Sequence, residues 1–205
     1  LNVWSIEELR RFLSFVADEP LYPVFRMAAM TGVRRGEAIA LRWRDVEFDN
    51  ARLLIRQSAI AVRHKVMIQP PKTGRNRSVT LDAITLRVLR DCRSRAVADR
   101  LAAGLGRPSD DDFIFTDGEG QSLHPESVAK VFDRRVARGG LPRIRFHDLR
   151  HSHATHLIAA GVHVKVVSER LGHSSVAFTL DRYGHVLPNL QSDAATAVAD
   201  LVFAG

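Results

Sequence analysis

The chain has 205 residues, 45% of them hydrophobic and 26% charged, which excludes disordered and fibrous architectures and suffices for one substantial core or two small ones. No apolar run approaches the roughly 18 residues of a membrane helix, and the acidic, amphipathic start is unlike a secretory signal, so an intracellular, cytoplasmic chain with no membrane partner is expected. The lone cysteine, Cys92, excludes an internal disulfide, and the net charge of +7 is uneven: residues 26–107 hold 18 basic against 7 acidic side chains, which points to nucleic acid as a partner.

Ser5 and Glu8 form a capping-box pair, and Leu9, Phe12, Leu13 and Val16 follow at helical spacing, so the chain begins with an amphipathic helix that Pro20 ends. A second helix is predicted over 24–30, stopped by Thr31 and Gly32, and a third over 35–41. Alternating residues then predict strands around Trp43, Val46 and Phe48, over 53–55 and over 62–68, and the basic loop 70–77 leads into a strand over 78–81. Asp82 caps a long helix reaching about residue 103, and a Gly, Pro and Asp-rich loop precedes a short buried segment at 113–115. Further helices are predicted over 125–138, 148–160, 163–171 and 176–182, with an apolar stripe of Ala194, Val198, Leu201 and Val202 near the end. The fold class is α+β, mostly helical with a small antiparallel three-stranded sheet.

Seven of nine histidines fall between His147 and His185, which raises a metal site. Helical geometry opposes it: His147, Arg150 and His151 share one face while His153 and His156 point away, and an arginine among the ligands repels a cation and attracts a phosphate. Cys92 reads as a packed thiol and Tyr22 as a packing aromatic at a helix start. Tyr183 differs, because it follows Asp181 and Arg182 and precedes Gly184 and His185 in a polar setting.

Around Tyr183 the residues resemble those of the tyrosine recombinases of the phage-integrase type. His147 and Arg150 match the family's His-x-x-Arg box, Leu171, Gly172 and His173 its Leu-Gly-His, and Tyr183 its nucleophile. Upstream, residues 30–37 look like the first arginine box, with Arg34 catalytic and Glu37 supporting, and Pro71, Lys72, Thr73 and Gly74 look like the hairpin of the catalytic lysine. Any one box arises easily by chance; six positions in family order over about 150 residues do not.

The resemblance implies a site-specific recombinase acting in integration or excision of a mobile element. Tyr183 attacks a DNA phosphate, forming a 3′-phosphotyrosyl link and a free 5′-hydroxyl. Arg34 and Arg150 grip the phosphate oxygens with forked hydrogen bonds, and Lys72 protonates the leaving oxygen. His147 accepts the Tyr183 proton, and His173 bonds the phosphate or holds the tyrosine. Arg35, Arg75, Arg77, Arg143 and Arg145 are further residues expected against DNA. Neither a cofactor nor a metal is implied, since the ester conserves bond energy.

Residues 1–205 are expected to form one catalytic domain, with a core over 1–188 and a segment over 189–205 that packs on a neighbour. The implied assembly is a homotetramer on paired DNA sites and a monomer without DNA. The family's N-terminal clamp domain has no counterpart in these residues, and a start at Leu1 rather than Met suggests a fragment. The rival reading is a non-enzymatic helix-turn-helix module built from 164–171 and 176–182, which needs basic residues but not this ordered set.

Overall fold

A computed structural model describes residues 2–63, 65–71, 74, 76–184, 200 and 202–203. Helix α1 (Ile6–Phe15) starts at the predicted capping box: Ser5 Oγ accepts from the Glu8 amide at 3.1 Å, and the Glu8 carboxylate accepts from the Ser5 amide at 2.8 Å. Helix α2 (Tyr22–Thr31) carries Pro23 in its first turn and ends at Gly32 in the left-handed conformation, and α3 (Arg35–Ile39) follows after Val33 and Arg34. The aromatic rings of Trp4, Phe12, Phe25, Phe132 and Phe146 pack around one another at 5.0–6.2 Å between centroids. Each apolar side chain buried there contributes about 1.5–3 kcal/mol. Trp4 also donates its backbone amide to Ser152 Oγ and its indole to the Pro142 carbonyl, tying the start of the chain to the segment that carries His147 and Arg150.

Strands β1 (Val46–Glu47), β2 (Arg52–Ile55) and β5 (Arg77–Thr80) form the expected three-stranded antiparallel sheet, in the order β1-β2-β5. Two local readings need correction. Trp43 belongs to a 3-10 turn (Trp43–Asp45) rather than a strand, because Asp45 accepts from the Arg42 amide at 2.9 Å and closes the turn. The strand expected over 62–68 is instead the tip of a hairpin, β3 (Ser58–Val62) with β4 (Lys65–Gln69), in which Val62 pairs with Lys65 and Arg63 takes φ 47°. Val62, Val66 and Ile68 keep period-two spacing across that reversal, and no Gly or Asn marks it, so the pattern reads straight through.

Helix α4 (Ala83–Ala102) is capped by Asp82, which accepts from the amides of Ile84 and Thr85. Helices α5 (Pro125–Arg138), α6 (Asp148–Ala159), α7 (Val164–Leu171) and α8 (Val176–Tyr183) fall within a residue or two of expectation. A second apolar cluster, Ala154, Ile158, Val167, Leu171 and Tyr183, fastens α6, α7 and α8 together. Among the described residues, no helix is long and apolar enough to cross a membrane.

Two glycines set how closely these layers meet. At Gly32 (φ 68°) an added Cβ would lie 2.6 Å from Leu171 Cδ2 and 2.7 Å from His153 Cδ2, so the α2–α3 turn lies directly against α6 and the end of α7. At Gly172 (φ 66°), which ends α7, a Cβ would lie 2.8 Å from Arg77 Cδ. Gly32→Ala is therefore expected to destabilise the chain by about 2–4 kcal/mol, combining left-handed strain with overpacking, as read from the urea midpoint. An unchanged midpoint would show that the turn has room to spare.

Candidate active site

Arg34 stands between the Gly32 turn and α3. Its position is set by Glu37, one helical turn on, whose carboxylate accepts both the Arg34 amide and the Arg34 guanidinium at 2.8 Å. Arg77 of β5 completes this group with two bonds of 2.9 and 2.6 Å to the same carboxylate, and it donates Nε to the Arg170 carbonyl at 3.1 Å. Burial alone would raise the Glu37 carboxyl, but the Arg77 hydrogen bond and charge, reinforced by Arg34, hold it at about 2.

That folded value lies below the unfolded one of about 4.3, so the Glu37 contribution is complete above the unfolded value and is lost as pH falls towards 2. The shift corresponds to about 3 kcal/mol. Urea unfolding at pH 7, 4 and 3 should show Glu37→Gln less stable at neutral pH and with a shallower acid slope than the unaltered chain. Parallel slopes would mean that Glu37 is protonated in the fold.

Arg150 enters from the first turn of α6 and is buried, 3% exposed. Nη1 donates to the Gly32 carbonyl and Nη2 to the Leu171 carbonyl, both at 2.7 Å, so the guanidinium is clamped between the α2–α3 turn and the end of α7. Burial and the Arg34 charge push it down to about 9, which leaves it cationic at neutral pH. A buttress lies behind it. His153 shares a bond with the Ala29 carbonyl at 3.0 Å and accepts from Arg170 Nε at 3.1 Å, while Arg170 reaches the carbonyls of Thr80 and Met30. This network joins α2, β5, α6 and α7 behind the Arg150 clamp.

Tyr183, at the end of α8, is 1% exposed, yet it borders an open cleft of about 730 Å³ that Arg34, Arg77, His147, Arg150 and His173 also line. Burial raises its phenol pKa against the lowering effect of Arg150 and Arg182. Its hydroxyl lies 2.7 Å from His151 Nδ1. His173 stacks on the phenol ring at 6.3 Å and 8°, its own Nδ1 engaged by Thr179 Oγ1 at 2.8 Å. Burial and the Arg150 and Arg34 charges hold His173 at about 3, so it is neutral. His147 is exposed at the mouth, its ring perpendicular to that of His151 at 5.0 Å.

The cleft therefore brings Arg34, His147, Arg150, His173 and Tyr183 together, from four segments spread over about 150 residues. Lys72 and Arg75 lie outside the described residues, as does the segment 189–205 apart from 200, 202 and 203. Arg77, expected as a DNA contact, is the ion-pair partner of Glu37, whose fully buried carboxylate must be neutralised, and it also lines the cleft. Arg143 and Arg145 are exposed, Arg145 paired with Asp148, and Arg35 is half-buried facing the charges of Glu126 and Asp133.

His151, which the sequence motifs left without a role, is the residue that touches the phenol oxygen. Its place beside Arg150 and one turn from His147 was legible; its contact with a side chain 32 positions away was not. Among the described residues, no three His, Cys, Asp or Glu side chains converge in metal-ligating geometry.

A mostly helical domain with a small antiparallel sheet, carrying arginine, histidine and tyrosine in one cleft, is the architecture of a tyrosine-recombinase catalytic domain. The chain belongs to the phage integrase family, whose signature matches residues 5–189. It is 30% identical over 213 residues to the tyrosine recombinase XerC-like protein of Caldanaerobacter subterraneus subsp. tengcongensis, and 33% identical over 210 residues to the ICEBs1 integrase of Bacillus subtilis. Each match covers 98% of this chain but only 54% and 55% of those relatives, so the chain spans about half their length.

Among solved structures, the Tn1549 transposon integrase in complex with transposon right end DNA superposes with a TM-score of 0.76 at 22% identity, covering all of this chain and 66% of that one. The catalytic domain of bacteriophage HP1 integrase superposes at 0.65 and 21% identity, covering 100% and 99%. At these identities the likeness concerns the fold.

Proposed function

We propose that this chain cleaves and rejoins DNA strands in site-specific recombination of a phage or other mobile element, through a 3′-phosphotyrosyl link on Tyr183. The observation that carries the reading is the convergence of a buried phenol and two arginines, Arg34 and Arg150, on one cleft. A phosphodiester under attack gathers negative charge on its non-bridging oxygens, and fixed guanidiniums facing those oxygens stabilise that charge without reorganising. Glu37 and the Gly32 and Leu171 carbonyls supply the fixing. The names of the relatives, recombinases and integrases, support the same reading. A helix-turn-helix module that only binds DNA would need basic residues on α7 and α8, but not a buried tyrosine against a clamped arginine. On paired DNA sites the assembly is a tetramer.

The direct test offers the chain a pool of random-sequence duplexes nicked near the centre, so that cleavage releases a short strand and traps the covalent product. Protein–DNA adducts resistant to denaturation, with the modified peptide ending in the Tyr183 region by mass spectrometry, are the expected result. Binding without adducts across the pool would favour the binding module.

Lys72 is proposed as the acid that protonates the leaving 5′ oxygen. Lys72→Ala should slow cleavage of an ordinary diester by about 10²–10⁴, yet cleave a substrate with sulfur at the 5′ bridging position at nearly the unaltered rate, because a thiolate leaves without a proton. Equal defects on both substrates would move the acid to another group.

A further inference from the structure

We propose that His151 is a catalytic residue of strand cleavage, its Nδ1 taking the Tyr183 phenol proton as the phenol oxygen attacks phosphorus. The inference rests on the phosphotyrosyl reading above and adds the group that activates the nucleophile. Its ground is geometric. The Tyr183 hydroxyl is buried, and among the described residues its hydrogen-bond partner is His151 Nδ1 at 2.7 Å. In this assignment the phenol donates to Nδ1, which carries the lone pair while Nε2 carries the proton.

The other two histidines of the cleft are placed differently. His173 presents its ring face to the phenol ring, with Nδ1 bound to Thr179. His147, which the family resemblance gives as the proton acceptor, stands beyond His151 at the exposed mouth, its ring perpendicular to that of His151 at 5.0 Å, while the phenol oxygen is bonded to His151.

The bond from Tyr183 Oη to phosphorus forms and the bond from phosphorus to the 5′ oxygen breaks. The phenol proton ends on His151 Nδ1, and the leaving oxygen takes its proton from the general acid. On rejoining, a 5′-hydroxyl attacks phosphorus and gives its proton back to the deprotonated general acid, the bond from phosphorus to Tyr183 Oη breaks, and the departing phenol oxygen recovers the proton from Nδ1.

The charged and titratable groups facing His151 are His147, Asp148 and Arg150 on α6, His173 in the α7–α8 turn, and Arg182 and Tyr183 on α8. Burial, with the charges of His147, Arg182 and Arg150 outweighing Asp148, holds its pKa at about 4 in the DNA-free cleft, so it is a neutral acceptor at pH 7. A phosphodiester seated between Arg34 and Arg150 brings negative charge to the same cleft and raises that value. Proton acceptance is thereby coupled to occupancy: the phenol is activated when a phosphate is in place.

Single-turnover cleavage of nicked duplexes recovered from the adduct pool, followed from pH 5 to 10, tests the assignment. His151→Asn places an amide where Nδ1 lies and holds the phenol without taking its proton. It should bind duplex normally, cleave about 100-fold more slowly at pH 7, and gain about tenfold per pH unit as hydroxide replaces the lost base. An unaltered rate overturns the proposal, and so does slow cleavage with the unaltered pH profile, which would make His151 a spacer.

A second measurement needs no variant: ¹⁵N spectra of the native chain, titrated with pH in the presence and absence of dimethyl phosphate. They should show Nδ1 as the acceptor nitrogen and a His151 pKa that rises with the diester. A protonated Nδ1, or a pKa indifferent to the diester, overturns the proposal. If the native chain forms no Tyr183 adduct at all, it is the phosphotyrosyl reading that fails.

Discussion

Tyr183→Phe is expected to abolish covalent attachment to DNA while leaving affinity for duplex nearly unchanged. The phenylalanine ring keeps the packing against Ala154, Ile158, Val167 and Leu171, so α6, α7 and α8 stay fastened. What is lost is one oxygen and its bond to His151, a cost of about 1 kcal/mol in stability. Duplex affinity comes mainly from phosphate contacts made by basic side chains, none of which changes. Denaturing gels of the nicked-duplex reaction separate the outcomes: no adduct with normal binding is the expected pair, and a surviving adduct would assign the nucleophile to another residue. The other tyrosine, Tyr22, is at the start of α2, where its hydroxyl accepts from Arg26.

Arg150→Ala should slow cleavage by about 10²–10³, corresponding to about 3–4 kcal/mol of barrier, because one preorganised cation is removed from the developing charge. It also has a structural cost. The Gly32 and Leu171 carbonyls each lose a buried donor, worth about 1–3 kcal/mol apiece. Arg150→Lys separates the two effects: it keeps the charge but cannot span both carbonyls with a planar fork, so much of the rate defect should persist even where folding is recovered. Cleavage rates measured beside urea midpoints give both numbers. Near-normal cleavage by a folded Arg150→Ala chain would reduce Arg150 to a clamp between α2 and α7.

These two variants differ in how far their surroundings could be foreseen. Tyr183 stood out because its neighbours are polar, yet its side chain is among the most buried in the protein. Local sequence reports what a helix can hide on one face; it does not report which distant helix covers that face. Arg77 shows the same limit in reverse. In a loop rich in basic residues it looked like a free charge for DNA, but β5 pairs with β2 and turns it inward against Glu37. The hairpin of β3 and β4 escaped for a different reason: period-two spacing survives a tight reversal, so alternation alone does not locate the turn.

The amino-acid sequence by itself determined the α+β class and most helix boundaries to within two residues, and the order of Arg34, Glu37, Lys72, His147, Arg150, His173 and Tyr183 along it carries the family resemblance. Capping pairs, left-handed glycines and apolar spacing are local, and their physics acts within a turn or two of chain. Only the tertiary structure decided that Glu37 holds two arginines, that Arg150 is clamped by the carbonyls of Gly32 and Leu171, and that His151 rather than His147 or His173 meets the phenol. Those contacts join positions between 3 and 118 residues apart, and the pair that clamps Arg150 needs the close approach of the Gly32 turn to α6 and the end of α7, where an added Cβ would lie 2.6 Å from Leu171 Cδ2.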